Sequence, residues 1–239
     1  MRTKGIFVTG TDTGVGKTIV AAAIARYLRD QGANVGVFKP VTSGALESAG
    51  QLVSEDAELL RWAAKCSSPD DDVSPYVLRE PLAPSEAARR DGIIIRYERI
   101  RESFDRLAEQ HEFMIVEGAG GLLVPLADDL LVADLAKRLD LPLLIVARPN
   151  LGTVNHTLMT CECARSLGIE VLGVVINGQQ VQPGLAESYA PRLIARLSGV
   201  PLLGVLRCYP GMDEKSIVEK LAACIDGEPL ATALNGEIA

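Results

Sequence analysis

Residues 10–18 read Gly-Thr-Asp-Thr-Gly-Val-Gly-Lys-Thr, directly after the apolar segment Gly5–Thr9 and directly before a stretch with helical periodicity. A strand, a glycine-rich loop and Gly-Lys-Thr opening a helix admit few folds. Gly14 and Gly16 let the backbone curl so that successive N–H groups face inward as an anion nest, and the helix beginning near Lys17 adds its positive end to the same point. Lys17 brings a mobile cation to the terminal phosphates, and the Thr18 hydroxyl is placed to ligate magnesium. A plain glycine turn with a solvated lysine leaves that hydroxyl unexplained. The loop also departs from the usual spacing. Four residues between the first glycine and Gly-Lys-Thr require a glycine at position 11, where this chain has Thr11. Counted from Gly10 the loop is one residue too long, and it carries Asp12, a carboxylate beside the place for phosphate oxygens.

Further along, short apolar segments recur, each followed by a helical pattern: Gly5–Thr9, Val35–Phe38, Phe113–Val116, Leu143–Ala147, Val171–Ile176 and Leu202–Leu206. Most lack polar alternation, which is how strands buried on both faces of a parallel sheet read. In residues 17–31, Val20, Ile24 and Leu28 recur at helical spacing, and Gly32 stands where a left-handed cap ends the element. In residues 153–167, Val154, Leu158 and Cys161 share a face, with Thr153 as the expected N-cap and Gly168 as the stop. The economical architecture is α/β, a doubly wound, mostly parallel sheet of the P-loop NTPase kind. At 239 residues one large domain over 1–239 is expected rather than two small ones. Residues 67–85, with prolines and an acidic run, read as an excursion over the surface, and residues 227–239 as a frayed tail.

Composition narrows the partners. Apolar residues make up 48% and charged residues 23%, ordinary globular usage. No apolar run approaches the roughly 20 residues of a spanning helix. The N-terminus shows neither the h-region nor the cleavage site of a signal peptide, so a cytoplasmic protein with no membrane partner is the expectation. A net charge of −7 without a Lys/Arg cluster argues against nucleic acid and for small molecules. Of the five cysteines only Cys161 and Cys163 are close, and a CxC pair on a helix points two ways, a poor metal site. His111 and His156, the only histidines, have no carboxylate or nucleophile at suggestive spacing.

Ligands of open α/β sheets bind beyond the carboxyl ends of the strands, so the residues after each strand test for a site. Lys39-Pro40-Val41-Thr42-Ser43-Gly44 follow the second strand, Glu117-Gly118-Ala119-Gly120-Gly121 the third and Asn177 the fifth. Magnesium needs hard oxygen ligands, and Glu117 is one candidate. Asp56, in Ser-Glu-Asp-Ala-Glu-Leu-Leu, is another, although an acid in the first turn of a helix also serves the helix dipole. Lys39 is a second lysine at the phosphate rim, suited to a transferring group whose charge spreads over its oxygens.

These blocks together resemble the dethiobiotin synthetase family. Phe7–Thr18, Lys39–Gly44, Ser54–Leu60, Glu80–Gly92, Val116–Leu126, Leu151–Thr160, Gly173–Asn177 and Pro201–Gly204 occur in that family's order and spacing. The resemblance implies ATP as co-substrate with Mg2+, and a nucleotide cradle of Gly14, Val15, Gly16, Lys17, Thr18 and Ile19. It implies Thr13, Lys17 and Lys39 at the transferring phosphoryl group and the carbamate, and Thr18, Asp56 and Glu117 as metal ligands. Gly118, Ala119 and Gly120 line the site and Asn177 reads the base. Thr13, Lys39 and Ser43 contact the substrate, whose carboxylate tail falls at Leu151, Gly152 and Asn155 of the other subunit of a homodimer. Two departures stand out. Gly14 replaces a glutamate common in the family, and Leu206-Arg207 stands where Ile-Pro is frequent, so Arg207 bears on base preference. The implied chemistry is carboxylation of 7,8-diaminononanoate, phosphorylation of the carbamate and closure of a cyclic urea. Its rival, a dimerising site-placement ATPase, normally has a lysine two residues before Gly14, where this chain has Asp12.

Overall fold

Every position of β1 (Gly5–Gly10) is buried, because it runs through the middle of a sheet covered on both faces. In the computed structural model, which describes residues 3–225 and 227, six parallel strands lie in the order β12 (Leu202–Arg207), β11 (Val171–Gln179), β10 (Leu143–Ala147), β1, β7 (Phe113–Glu117) and β2 (Val35–Phe38). All six expected segments are strands of this sheet. The chain leaves β1 toward the β2 edge, later inserts β7 between them, and then builds β10, β11 and β12 on the other side. Strand order therefore reverses at β1, and a crevice opens beyond its carboxyl end.

The helices are α1 (Lys17–Asp30), α2 (Glu55–Ala64), α3 (Asp70–Val73), α4 (Pro84–Asp91), α5 (Tyr97–Ala108), α6 (Val132–Leu139), α7 (Thr153–Ser166), α8 (Leu185–Leu197) and α9 (Glu214–Ala223). Side-chain alternation along β10 and β11 shows how both faces are used. Leu144, Val146 and Val175 belong to the main core with α1, whereas Ile145, Ala147, Val174 and Ile176 pack with Cys161 of α7 and Ile194 of α8. A fully apolar strand is what that two-sided burial requires. α1, α2 and α9 pack against one another, and Gly32 takes the left-handed φ of +93° just past α1.

Three expectations are corrected. Residues 67–85 are not merely a surface excursion: α3 forms there, and Tyr76–Leu78 (β6) pairs in parallel with Val41–Ser43 (β3), burying Val73, Tyr76 and Leu78. The N-cap of α7 is Gly152, at φ +95°, and Thr153 is the first helical residue with a buried side chain. The buried face of α7 is Thr153, Thr157, Cys161 and Ala164, one position away from the expected stripe at its start, because small hydroxyl residues let the helix approach the sheet. Two antiparallel hairpins, Leu46–Ser48 (β4) with Gln51–Val53 (β5) and Pro125–Ala127 (β8) with Leu130–Leu131 (β9), decorate the rim. No described helix is long and apolar enough to cross a membrane. The tail expected over 227–239 lies, apart from residue 227, outside the described residues.

Candidate active site

The crevice at β1 holds a cavity of about 660 Å³. The glycine-rich loop forms one wall, with Thr13, Gly14, Gly16, Lys17, Thr18 and Ile19. The opposite wall brings Lys39, Ser43, Asp56, Glu117, Ala119 and Gly120 from the ends of β2, β3, α2 and β7. Residues far apart in the chain meet here because parallel strands deliver their carboxyl ends to one rim.

Gly16 shows why the loop needs glycine. Its φ is +86°, and an added Cβ collides with the Asn177 amide, whose Nδ2 donates to the Val15 carbonyl at 3.0 Å. Asn177 thus locks the loop onto β11, with its Oδ1 left to accept. Gly14 is also left-handed, at φ +71°, with open space around it, so a glutamate fits there sterically while straining the backbone.

Behind the loop lies a group of four charges. The Thr18 hydroxyl stands 2.9 Å from Asp56 Oδ1 and 2.9 Å from Glu117 Oε1. One hydroxyl proton satisfies only one of them. The Lys39 ammonium is 2.6 Å from Asp56 Oδ2 and 2.6 Å from Glu117 Oε1. Lys39 and Glu117 are 5% and 1% exposed, and Glu117 Oε2 is buried without a hydrogen-bond partner. Burial alone pulls the Lys39 pKa down, but Glu117 and Asp56 more than reverse it, so Lys39 is held above the usual lysine value and stays charged. For Lys17 burial wins, and its pKa lies below the ordinary value despite Glu117. Burial, aided by the Asp56 charge, raises Glu117, whereas Lys39 overcomes burial at Asp56 and lowers it. Two buried cations balance two carboxylates, and the spare acceptor on Glu117 points to a cation partner.

Ser54 sets the position of Asp56. Its hydroxyl accepts the Ala57 N–H at the start of α2 and lies 2.6 Å from Thr42 Oγ1, tying the helix to β3. Asp56 therefore serves the helix terminus and the cavity together.

A family profile described as an AAA domain matches residues 4–216. A curated relative from Bacillus licheniformis, the ATP-dependent dethiobiotin synthetase BioD, is 50% identical over 202 residues, covering 84% of this chain and 85% of its own. This chain belongs to the dethiobiotin synthetase family. The dethiobiotin synthetase of Bacillus subtilis strain 168 is 43% identical over 84% of this chain and 86% of its own length. That of Bacillus velezensis is 41% identical over 93% and 94%. Among solved structures, a ParA family ATPase from Chlorobium tepidum superposes with a TM-score of 0.54 at 17% identity, over 99% of this chain and 97% of that one. The septum site-determining protein MinD of Pyrococcus horikoshii gives 0.53 at 16%, over 97% and 92%. At that identity the likeness concerns the fold alone.

Not every dethiobiotin synthetase position expected from the resemblance reaches the cavity. Val15 turns its side chain into the core, and Gly118 packs beneath Phe7 and Val132. Arg207 is exposed and lines a separate apolar cavity of about 430 Å³ beside α1. Leu151, Gly152 and Asn155 are exposed at the start of α7 and line none of the cavities described. Conversely, Pro81, Leu82, Ala83 and Pro84 and the first residue of α9, Glu214, line the main cavity. No motif spacing singled out Glu214, and only the packing of α9 on α1 brings it there. The histidines also acquire partners invisible in sequence: His111 Nε2 lies 3.7 Å from Cys66 Sγ, and His156 Nδ1 lies 3.3 Å from Arg148.

Proposed function

We propose that this protein is an ATP-dependent dethiobiotin synthase of biotin biosynthesis, joining CO2 to 7,8-diaminononanoate with release of ADP and phosphate. The observation that carries it is the convergence of Lys17, Thr18, Lys39, Asp56 and Glu117 on one cavity, in a chain half identical to a synthetase of that name over most of its length.

One neutral amine of the substrate adds to CO2 and, releasing a proton to solvent, forms a carbamate. The carbamate oxygen attacks the γ-phosphorus of ATP, ADP leaves, and the product is a carbamic-phosphoric anhydride. The neighbouring amine then attacks the carbonyl carbon, the C–O bond to phosphate breaks, and the amine proton leaves as the cyclic urea forms. No protein nucleophile is required. The work is positioning and charge, and correct orientation of reacting groups is worth roughly 7–11 kcal/mol.

Lys39 has three N–H donors, of which two face Asp56 and Glu117, so the third serves the phosphoryl group or the carbamate. Lys17 and Thr13 take the opposite side, and Ser43 holds the diamine. The hard oxygens of Thr18, Asp56 and Glu117, with the unpartnered Glu117 Oε2, fit Mg2+ and would hold it. When bound, that ion neutralises charge on the nucleotide's terminal phosphates. Asn177, bonded to the loop at the Val15 carbonyl, is the residue assigned to the base, whereas Arg207 lines the separate cavity beside α1 and is given no contact with it.

A homodimer completes this reading. Leu151 is 85% exposed, Met159 62% and Leu123 61%, an apolar surface beside the N-terminus of α7, suited to an anion. A second copy of the chain brings Leu151, Gly152 and Asn155 to the substrate carboxylate. Use of ATP fits a cytoplasmic enzyme. The test is incubation with ATP, Mg2+, bicarbonate and the diamine, with mass analysis of the product. Ring closure adds one carbonyl and removes two hydrogens, with phosphate released in equal amount; an unchanged diamine mass overturns the reading.

A further inference from the structure

Asp12 poses a problem that the phosphate chemistry does not solve. A carboxylate in an anion-binding loop repels phosphate and competes for its cations. Lys17 is within reach, since its ammonium donates to the Asp12 main-chain carbonyl at 3.4 Å.

The structure shows the carboxylate turned the other way. Asp12 Oδ1 accepts the Thr13 N–H at 2.7 Å, a bond that holds the side chain against its own loop. Oδ2 forms an ion pair with Arg148 Nη1 at 3.4 Å. Asp12 accordingly lines a third cavity, of about 480 Å³, with His156, Met159 and Thr160, and is absent from the walls of the nucleotide cavity. Arg148 is itself held in place: it follows β10 directly, and Nη2 donates to His156 Nδ1 in the first turn of α7 at 3.3 Å. For that bond the imidazole is neutral with its proton on Nε2.

We propose that Arg148 is a positioning residue of the phosphate loop: by pairing with Asp12 it keeps the carboxylate on the outer side and leaves Lys17 free for the nucleotide, while His156 orients its guanidinium. The proposal rests on ATP being the ligand of the loop. It also answers why the extra loop residue is tolerated beside an aspartate: the side-chain oxygen holds the Thr13 N–H, and the arginine offsets its charge.

The test is calorimetric titration of the full chain with a non-hydrolysable ATP analogue and Mg2+, with thermal melting to confirm folding. Arg148→Ala weakens binding on the order of fivefold, the scale of a half-exposed ion pair, and raises KM for ATP while kcat at saturating nucleotide is kept. Arg148→Lys binds within about twofold of the native chain. Asp12→Asn in the Arg148→Ala background restores affinity, because the amide oxygen still accepts the Thr13 N–H and no charge remains to capture Lys17. Unchanged binding in Arg148→Ala, or a double variant as weak as Arg148→Ala, overturns the proposal. If Arg148→Ala does not fold, Arg148→Lys and the double variant decide: weak binding in either refutes it. Failure of the native chain to bind the analogue refutes instead the assignment of ATP.

Discussion

Lys39 Nζ and Glu117 Oε1 lie 2.6 Å apart, with both side chains buried. Two chain segments 78 residues apart thus share one buried ion pair, and the pair stands in the cavity where phosphoryl transfer is proposed. Removing one partner of a buried pair leaves the other uncompensated and typically costs about 3–5 kcal/mol.

Lys39→Ala is therefore expected to act twice. It lowers kcat by on the order of a hundredfold or more, as loss of a preorganised charge does, and changes ATP affinity much less. It also lowers Tm. Steady-state kinetics, nucleotide titration and thermal melting separate the effects, and equal losses in kcat and ATP affinity contradict the role given to Lys39.

Ser54→Ala removes the N-cap of α2 and the shorter of the two hydroxyl contacts of Thr42, leaving Ser74 Oγ at 3.3 Å. The expected destabilisation is about 1–2 kcal/mol, read from urea unfolding. Because α2 carries Asp56, the concentration of Mg2+ needed for half-maximal activity rises as well. A stability loss with an unaltered Mg2+ requirement separates the cap from the site.

Gly16→Ala places a methyl against the Asn177 amide at a left-handed backbone position. The conformation alone costs roughly 1–2 kcal/mol, and the displaced amide releases the Val15 carbonyl. ATP binding is expected to fall by more than tenfold, and the strain lowers the melting temperature by several degrees. Titration of the folded variant with the nucleotide measures it.

Cys66 should titrate as an unusually acidic thiol. Burial pushes it up, but hydrogen bonds from His111 and Ser68 outweigh burial and lower it to about 7. His111 Nδ1 donates to the Leu107 carbonyl at 2.7 Å, which turns Nε2 toward the sulfur. The thiolate is the reactive form, so alkylation of the Cys66 peptide by iodoacetamide rises with pH through a midpoint of about 7. In His111→Ala the midpoint moves up. A midpoint near 9 in the native chain, the ordinary thiol value, removes the dyad.

The sequence by itself determined the parallel sheet and the phosphate loop, because both are written in short-range pattern. Unbroken apolar runs such as Leu143–Ala147 satisfy only strands covered on two sides, and a Gly-Lys-Thr after the first strand fixes where the nucleotide's phosphates belong. Family blocks added the rest of the expected site. Tertiary structure alone decided which expected residues meet. It brought Asp56 onto both Thr18 and Lys39, which spacing left balanced between a helix-dipole role and a metal role. It added Glu214, and it placed Arg207 in a different cavity from Lys39. It also gave Asp12, His111 and His156 the partners Arg148 and Cys66. Charge and hydrogen bonding act over a few ångströms between residues tens of positions apart, and no periodicity in the chain encodes such distances. Only the order of strands around β1 sets them.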